Sequence, residues 1–228
     1  MQPISKILIT GASGFIGSFL VERALSEGMD VWAAVRPSSS RRYLADPRIH
    51  FIEIDFGSEK KMMQALAAHV AAHGAWHYVI HAAGATKCRR EADFFKINTE
   101  GTALFAQSLL TAGALTGRFV FISSLSVCGP LCEDSGRPIC AADTPQPNTA
   151  YGRSKLEAEQ RLAQIDGLDY IVLRPTGVYG PREKDYAMMA DSIRRHVDFS
   201  VGFKPQVLTF IYVKDLVAAA FLALTRGT

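Results

Sequence analysis

The stretch KILITGASGFIGSFL, from Lys6 to Leu20, decides the fold. A run of apolar residues leads into three equally spaced glycines, Gly11, Gly14 and Gly17, and the pattern then becomes helical. Glycines between a strand and a helix let the backbone approach an anionic group without Cβ collisions, and the helix N-terminus offers free N–H groups and the positive end of its dipole. The stretch therefore predicts a pyrophosphate-binding strand–turn–helix unit. The alternative is a glycine-rich turn without a ligand.

Strands and helices alternate along the rest of the chain. Continuous apolar runs predict strands over residues 6–10, 30–35, 49–54, 78–81, 118–122 and 170–173. Helical spacing of apolar residues predicts helices over residues 15–27, 59–72, 91–111, 149–165 and 213–225. This alternation implies parallel strands joined by right-handed crossovers, with both faces of the sheet covered. We therefore predict an α/β fold built on a doubly wound parallel sheet.

Composition and charge narrow the range of partners. The chain has 228 residues, with 25 Lys and Arg against 22 Asp and Glu, so the net charge is only +3. Such a small charge favours neither a nucleic-acid partner nor an acidic membrane surface. The apolar segments are too short to span a bilayer, and the chain enters its first strand without a signal-like segment, so we expect a cytoplasmic protein.

The cysteines and histidines predict no metal site. The four cysteines, at positions 88, 128, 132 and 140, form no Cys-x-x-Cys pair, so we expect free thiols rather than a zinc ribbon or a redox dithiol. His69 and His73 lie four residues apart on a predicted helix, a spacing that can bind a metal. No third ligand is evident nearby, and we interpret the pair as part of a surface face of the helix.

The glycine stretch is accompanied by further motifs in a specific order. They are HAAGATK (residues 81–87), NTEGT (98–102), FISSLSVCG (121–129), YGRSK (151–155), LRPTGVYGP (173–181) and FIYVKDLVAA (210–219). Together with TGASGFIG they make the chain resemble the extended short-chain dehydrogenase/reductases, the group that includes the NAD-dependent epimerase/dehydratase family. The resemblance covers essentially the whole chain.

The resemblance implies a Rossmann fold and a division into two regions. Residues 1–180 are expected to form the NAD(P)-binding domain. Residues 181–228 are expected to begin the substrate-binding region and to end in a helix that returns to the first domain. Because members of this group usually continue well beyond this helix, we expect most of the C-terminal substrate-binding subdomain to be missing from the chain.

Tyr151 and Lys155 are the candidate catalytic pair, since residues four apart on a helix face the same way. A tyrosine has a pKa of about 10, which a neighbouring ammonium and the positive nicotinamide ring would have to lower for it to act as a base near neutral pH. The resemblance implies that Lys155 also binds the nicotinamide ribose and that Ser124 hydrogen-bonds the substrate oxygen, with Ser123 as the neighbouring candidate. Asn98 is implied to be structural.

The end of the second predicted strand predicts which cofactor binds. NAD-binding proteins place an Asp or Glu there to bind the ribose 2′-hydroxyl. Here the sequence is AAVRPSSSRR, without an acid, and Arg36 can pair with a 2′-phosphate instead, so NADP is favoured over NAD. The alternative is that Arg36, Arg41 and Arg42 form a solvated turn. The resemblance implies cofactor contacts from Gly11, Ser13, Gly14, Phe15, Ile16, Gly17, Arg36, Asp55, Phe56, Ala82, Ala83, Gly84, Lys155 and Pro175.

The substrate is predicted only as a class. Leu125 and Ser126 stand where nucleotide-sugar dehydratases have Asp-Glu, and Gly177 stands where nucleotide-sugar epimerases tend to have Asn. The chain looks closer to members like dihydroflavonol reductase and 3β-hydroxysteroid dehydrogenase. We therefore expect an oxidoreductase that transfers hydride between the nicotinamide and a secondary alcohol or ketone, in a pocket walled by residues 181–210. A nucleotide-sugar epimerase and a non-catalytic NADP-binding regulator are the alternatives, and the resemblance suggests a homodimer.

Overall fold

The computed structural model describes residues 4–131, 137–197 and 208–226 and confirms the doubly wound parallel sheet. Six parallel strands lie in the order β3-β2-β1-β4-β5-β6. Their bounds are β1 (Lys6–Thr10), β2 (Asp30–Val35), β3 (His50–Glu53), β4 (Trp76–His81), β5 (Leu115–Ile122) and β6 (Tyr170–Leu173). The strand order reverses between β1 and β4, which opens a crevice at the carboxyl ends of these strands.

Helices cover the two faces of the sheet, and four of the five predicted helices have bounds within three residues of those predicted. They are α1 (Phe15–Ser26), α2 (Glu59–His73), α3 (Glu91–Phe94), α4 (Gly101–Thr111), α5 (Ala150–Leu162), α6 (Asp185–Arg194) and α7 (Val213–Thr225). The side chain of Thr149 caps α5 by accepting from the backbone N–H of Gly152 at 3.0 Å. Among the described residues, no helix is long and apolar enough to cross a membrane.

Two apolar clusters hold the helices against the sheet. On one face, α1 and α7 pack on the sheet through residues such as Leu20 and Val217. On the other face, α2, α4 and α5 pack through residues such as Leu66, Phe105 and Leu162. Because both faces are covered, the central strands are apolar on both sides, which is why their sequences are continuous apolar runs.

The predicted single helix over residues 91–111 is wrong in one respect. The structure divides it into α3, a π-helical turn over Phe95–Glu100, and α4. The wide turn brings Asn98 and Thr99 into polar contacts with Ser154 on α5, and Asn98 also bonds with both backbone groups of Ala85. π-Helical turns often occur where side chains make such specific contacts at a functional site.

A small second sheet follows the main one. Strand β7 (Gly177–Tyr179) pairs in parallel with β8 (Phe210–Tyr212), and α6 lies between them in the sequence. The sequence analysis did not predict these three elements. The two strands have only three residues each, so no periodic pattern can develop in them.

Candidate active site

The three glycines form the cradle that the sequence predicts, at the end of β1. Gly11 has a φ of +65°, and a Cβ there would lie 2.6 Å from the carbonyl oxygen of Ala82. A Cβ on Gly17 would lie 2.1 Å from the carbonyl oxygen of Gly11, so glycine alone allows α1 to pack this closely. Gly14 is exposed and is the N-cap of α1, without a side-chain cap bond. The free N–H groups of this helix start and its open approach fit a pyrophosphate.

A cleft of about 870 Å³ lies at the carboxyl edge of the sheet and brings most of the predicted site residues together. Its walls come from the glycine loop, the ends of β4 and β5, the start of α5 and the segment after β6. The predicted residues that line it are Gly11, Gly14, Phe15, Ile16, Gly17, Ala82, Gly84, Ser124, Tyr151, Lys155 and Pro175. Parts of the predicted substrate wall also line it, namely Glu183, Tyr186, Leu208 and Thr209. Residues 198–207 of that predicted wall lie outside the described residues.

Five predicted cofactor residues lie outside the lining of this cleft. Arg36 is exposed just after β2, and Ser13 is half-buried inside the glycine loop. Asp55 accepts from the backbone N–H of Gly57 at 3.0 Å and pairs with Lys61 at 3.3 Å, and these contacts lower its pKa. The other two are Phe56, whose ring packs on Phe105, and Ala83, which donates to Thr10.

Lys155 is a buried cation at the base of the cleft. Its side-chain ammonium donates to the carbonyl oxygen of Ile122 at 2.9 Å and lies 4.5 Å from the centre of the Phe121 ring. The residue is 4% exposed, and this burial lowers the pKa of Lys155 to about 8, while the Glu159 carboxylate acts in the opposite direction. Because this value is still above neutral pH, Lys155 is mostly protonated at pH 7.

Tyr151 lies one turn before Lys155 on α5, as the spacing predicts, and is half-buried. Burial raises its pKa above the usual value, and a hydrogen bond with Ser124 opposes the rise. The sequence analysis expected the Lys155 ammonium to lower this pKa. In the structure that ammonium donates to a backbone carbonyl, and burial decides the direction.

The structure distinguishes the two candidate serines. Ser124 lines the cleft, bonds with Tyr151 and donates to the hydroxyl of Ser126 at 3.1 Å. The hydroxyl of Ser123 instead donates to the buried carboxylate of Glu159. The Ser123 hydroxyl is therefore engaged with Glu159, and Ser124 is the serine that influences the pKa of Tyr151.

A buried histidine that the sequence analysis left without a role supports the cleft from below. His81 ends β4, and its Nδ1 lies 2.8 Å from the Thr10 hydroxyl, which accepts from the N–H of Ala83 at 3.2 Å. Its Nε2 lies 3.1 Å from the Thr102 hydroxyl. In the neutral ring one nitrogen donates and the other accepts, so His81 bridges the two threonine hydroxyls. Burial lowers the pKa of His81 to about 3, so this neutral network ties β1 to β4 at neutral pH.

The interpretation of His69 and His73 as a surface pair is wrong for His69. His69 is 4% exposed, and its ring stacks on Trp76 at 3.7 Å and meets Trp32 edge-on at 4.3 Å. Two tryptophans from β2 and β4 thus cover this face of α2. In the described parts of the chain, no cluster of three or more His, Cys, Asp or Glu side chains could hold a metal. Cys88, Cys128 and Cys140 are free thiols, and Cys132 lies outside the described residues.

We expect the free energy of unfolding to fall as the pH is lowered from 6.5 toward 4. Burial lowers the pKa of His69 from 6.5 to about 4, so the unfolded chain binds more protons than the folded chain across this window. The stability that the folded chain has from keeping His69 neutral is complete above pH 6.5. As the pH falls to 4, the free energy of unfolding loses this contribution progressively, by about 3 kcal/mol in total. Urea unfolding at several pH values, followed by tryptophan fluorescence, measures this loss.

A variant isolates the contribution of His69. His69→Phe keeps an aromatic ring against Trp76 but cannot titrate, so its stability should depend less on pH between 6.5 and 4. The pH dependence that remains is assigned to His81 and to carboxylates with lowered pKa values, such as Asp55. An equal pH dependence in His69→Phe and the parent chain would show that His69 is not the titrating group.

Comparisons with known proteins identify the family. The model of the NAD dependent epimerase/dehydratase family matches residues 7–228. The chain is 31% identical to a UDP-glucose 4-epimerase of Vibrio cholerae over 86% of its own length and 59% of that protein. It is 26% identical to sterol demethylase protein B of Methylococcus capsulatus over 96% of its own length and 66% of that protein. The chain therefore spans about three fifths of the length of these two curated relatives.

Solved structures share the fold. The chain superimposes on a UDP-glucose 4-epimerase of Thermus thermophilus, crystallised in complex with NAD, with a TM-score of 0.80 and 23% identity. The superposition covers 97% of this chain and 75% of that one. With the glycine cradle, the reversed strand order and a family match over nearly every residue, the chain belongs to the NAD-dependent epimerase/dehydratase family.

Proposed function

We propose that the chain is an NAD(P)-dependent oxidoreductase that interconverts a ketone and a secondary alcohol. The observation that carries the proposal is that Tyr151, Ser124 and the buried Lys155 line one cleft together with the glycine loop, with Tyr151 one helical turn before Lys155 and Ser124 close enough to lower the pKa of Tyr151. In the proposal these residues supply a proton donor, a second hydroxyl and a positive charge near one position in the cleft. A carbonyl group whose carbon accepts hydride needs such groups around its oxygen.

The residues of the glycine loop would hold the cofactor pyrophosphate at the start of α1, and Lys155 would bind the nicotinamide ribose. When it is bound, the nicotinamide supplies or accepts the hydride. The raised pKa of Tyr151 keeps its hydroxyl protonated at neutral pH, which suits it to donate a proton to the carbonyl oxygen in the reduction. Ser124 would orient that oxygen. The carbonyl thus gains one hydride at carbon and one proton at oxygen and becomes an alcohol.

We propose NADP as the preferred cofactor because Arg36 is exposed at the end of β2, where an acid would favour NAD. Within the described part of the chain, the Arg36 side chain has no hydrogen-bond or ion-pair partner, so it is available to a 2′-phosphate. The neighbouring Arg41 instead lies over the ring of Phe51, at 4.2 Å from its centre, and Arg42 lies over Tyr43.

Arg36→Ala is expected to weaken NADPH binding by about tenfold, the equivalent of one lost charge-assisted hydrogen bond, and to leave NADH binding nearly unchanged. Fluorescence titration with each cofactor measures both affinities. Arg41→Ala removes an arginine from the next turn along the chain, 41–44, and is the matched control. If the parent chain binds NADH as tightly as NADPH, the role of Arg36 is wrong.

Nucleotide-sugar epimerisation is the second candidate, favoured by the identity to the Vibrio cholerae epimerase. One feature of the cleft argues against it. A Cβ on Gly177 would lie 2.5 Å from the hydroxyl oxygen of Tyr186, so Tyr186 occupies the space that an Asn at this position would need. A measurement of NADPH consumption distinguishes the two functions. A reductase consumes NADPH when a ketone is added, whereas an epimerase retains its cofactor and shows no net consumption.

A further inference from the structure

Glu159 is a buried carboxylate behind the candidate site, one helical turn beyond Lys155 on α5. It is 7% exposed. The guanidinium of Arg174 donates to it through Nε at 3.1 Å from each carboxylate oxygen and through a terminal nitrogen at 2.6 Å. Ser123 donates to the same carboxylate from the end of β5. One side chain therefore joins α5, the end of β5 and the segment after β6.

Each partner of Glu159 directly precedes a candidate site residue. Ser123 precedes Ser124, and Arg174 precedes Pro175. The two segments also bond to each other, since the N–H of Leu125 donates to the carbonyl oxygen of Pro175 at 2.8 Å. Because Glu159 lies on the helix that carries Tyr151, its bonds set where the Ser124 turn stands relative to the tyrosine. Buried charge-assisted bonds of this kind hold their geometry more tightly than neutral ones.

Glu159 also supplies negative charge near Lys155. The hydrogen bond of Lys155 is to a neutral carbonyl, and the Phe121 ring covers another side. His81 faces the ammonium from β4 but is neutral, and Tyr151 lies on the same helix as Lys155. Glu159 is the carboxylate whose charge favours the protonated form of Lys155.

We propose that Glu159 is a positioning residue, which holds Ser124 and a charged Lys155 beside Tyr151 and thereby sets how readily Tyr151 gives and takes its proton. The inference rests on the proposed function, which assigns the proton transfer to Tyr151. Glu159 itself does not line the cleft. It acts through its neighbours, as buried partners of site residues do elsewhere.

The experiment measures the ionisation of Tyr151 and needs no substrate. Ultraviolet titration of tyrosinate, with NADP⁺ added, is compared between each protein and its Tyr151→Phe counterpart, so the difference reports Tyr151 alone. Glu159→Gln is expected to raise the pKa of Tyr151 by about one unit, a tenfold change in its ionisation constant, because the Ser124 turn loses its anchor and the tyrosinate loses the hydrogen bond from Ser124 that lowers this pKa. Glu157→Gln is the matched control, since Glu157 makes an exposed pair with Arg161 on the same helix, and it should change nothing.

A double variant keeps the test usable if Glu159→Gln does not fold, because that single substitution leaves the Arg174 guanidinium without its carboxylate partner. Glu159→Gln combined with Arg174→Met removes both charges, a change that buried ion pairs often tolerate. Thermal denaturation identifies which variants fold. A raised Tyr151 pKa in the folded variants supports the inference, and a pKa equal to that of the Glu157→Gln control overturns it. If Tyr151 titrates as expected but no ketone is reduced, the proposed function fails and the role of Glu159 stands.

Discussion

Tyr151→Phe is expected to lower the rate of NADPH-dependent ketone reduction by a factor of about 10² to 10⁴ and to leave NADPH affinity nearly unchanged. The size of the effect is that of general acid–base catalysis by one positioned group. The variant removes only the hydroxyl that bonds with Ser124, and its ring still packs against Phe94, with ring centres 6.1 Å apart. Stopped-flow measurement of NADPH oxidation gives the rate, and fluorescence titration gives the affinity.

Tyr170→Phe is the control for this prediction, since it removes a tyrosine hydroxyl at the start of β6, outside the lining of the cleft. It should leave the rate unchanged. Lys155→Ala should lower both the rate and the cofactor affinity, because in the proposal the ammonium binds the nicotinamide ribose and also supplies positive charge beside the reacting oxygen. A Tyr151→Phe variant that reduces ketones at the parent rate would rule out Tyr151 as the proton donor.

Gly17→Ala is expected to weaken NADPH binding by more than about 100-fold, because the glycine loop, which we propose binds the pyrophosphate, can no longer form. The added Cβ would lie 2.1 Å from the carbonyl oxygen of Gly11 and 2.8 Å from the Cα of Ala12, so α1 must move away from the loop. The same strain should lower the free energy of unfolding by about 1 to 3 kcal/mol. Isothermal calorimetry with NADPH and urea unfolding measure the two effects.

Gly28→Ala separates loss of stability from loss of the site. Gly28 has a φ of +71° but no atom within 4 Å of its added Cβ, and it lies beyond the far end of α1. Its replacement should cost about 1 to 2 kcal/mol of stability through backbone strain alone. It should leave NADPH affinity unchanged. If Gly28→Ala weakens NADPH binding as strongly as Gly17→Ala does, the effect at Gly17 comes from general destabilisation and not from the cradle.

The features that the sequence predicted well depend on local patterns. Continuous apolar runs predicted the six strands of the main sheet because buried parallel strands need apolar residues on both faces. The glycine spacing predicted the cradle because close packing of α1 on Gly11 excludes any Cβ at Gly17. The four-residue spacing of Tyr151 and Lys155 placed them on one side of α5 because that spacing is nearly one helical turn.

The features that escaped prediction depend on partners far away in the sequence. The π-helical turn exists because Asn98 and Thr99 reach Ser154, more than fifty residues later. His69 is buried because Trp32 and Trp76, on two other elements, converge on it. The bonds of Glu159 to Ser123 and Arg174 likewise join three segments that no local periodicity relates. The boundary between the two predicted regions at residue 180, and the roles of the site residues, remain predictions.

The most direct test of the proposed hydride transfer is a deuterium-transfer experiment. The chain is incubated with NADPH that carries deuterium at both positions of nicotinamide C4, together with a panel of cyclic and acyclic ketones and UDP-glucose, and the products are analysed by mass spectrometry. The account predicts an alcohol in which one deuterium replaces one hydrogen. It also predicts that the Tyr151→Phe variant forms almost none of this labelled alcohol. Conversion of UDP-glucose to its epimer without label, and with no labelled alcohol from any ketone, would contradict it.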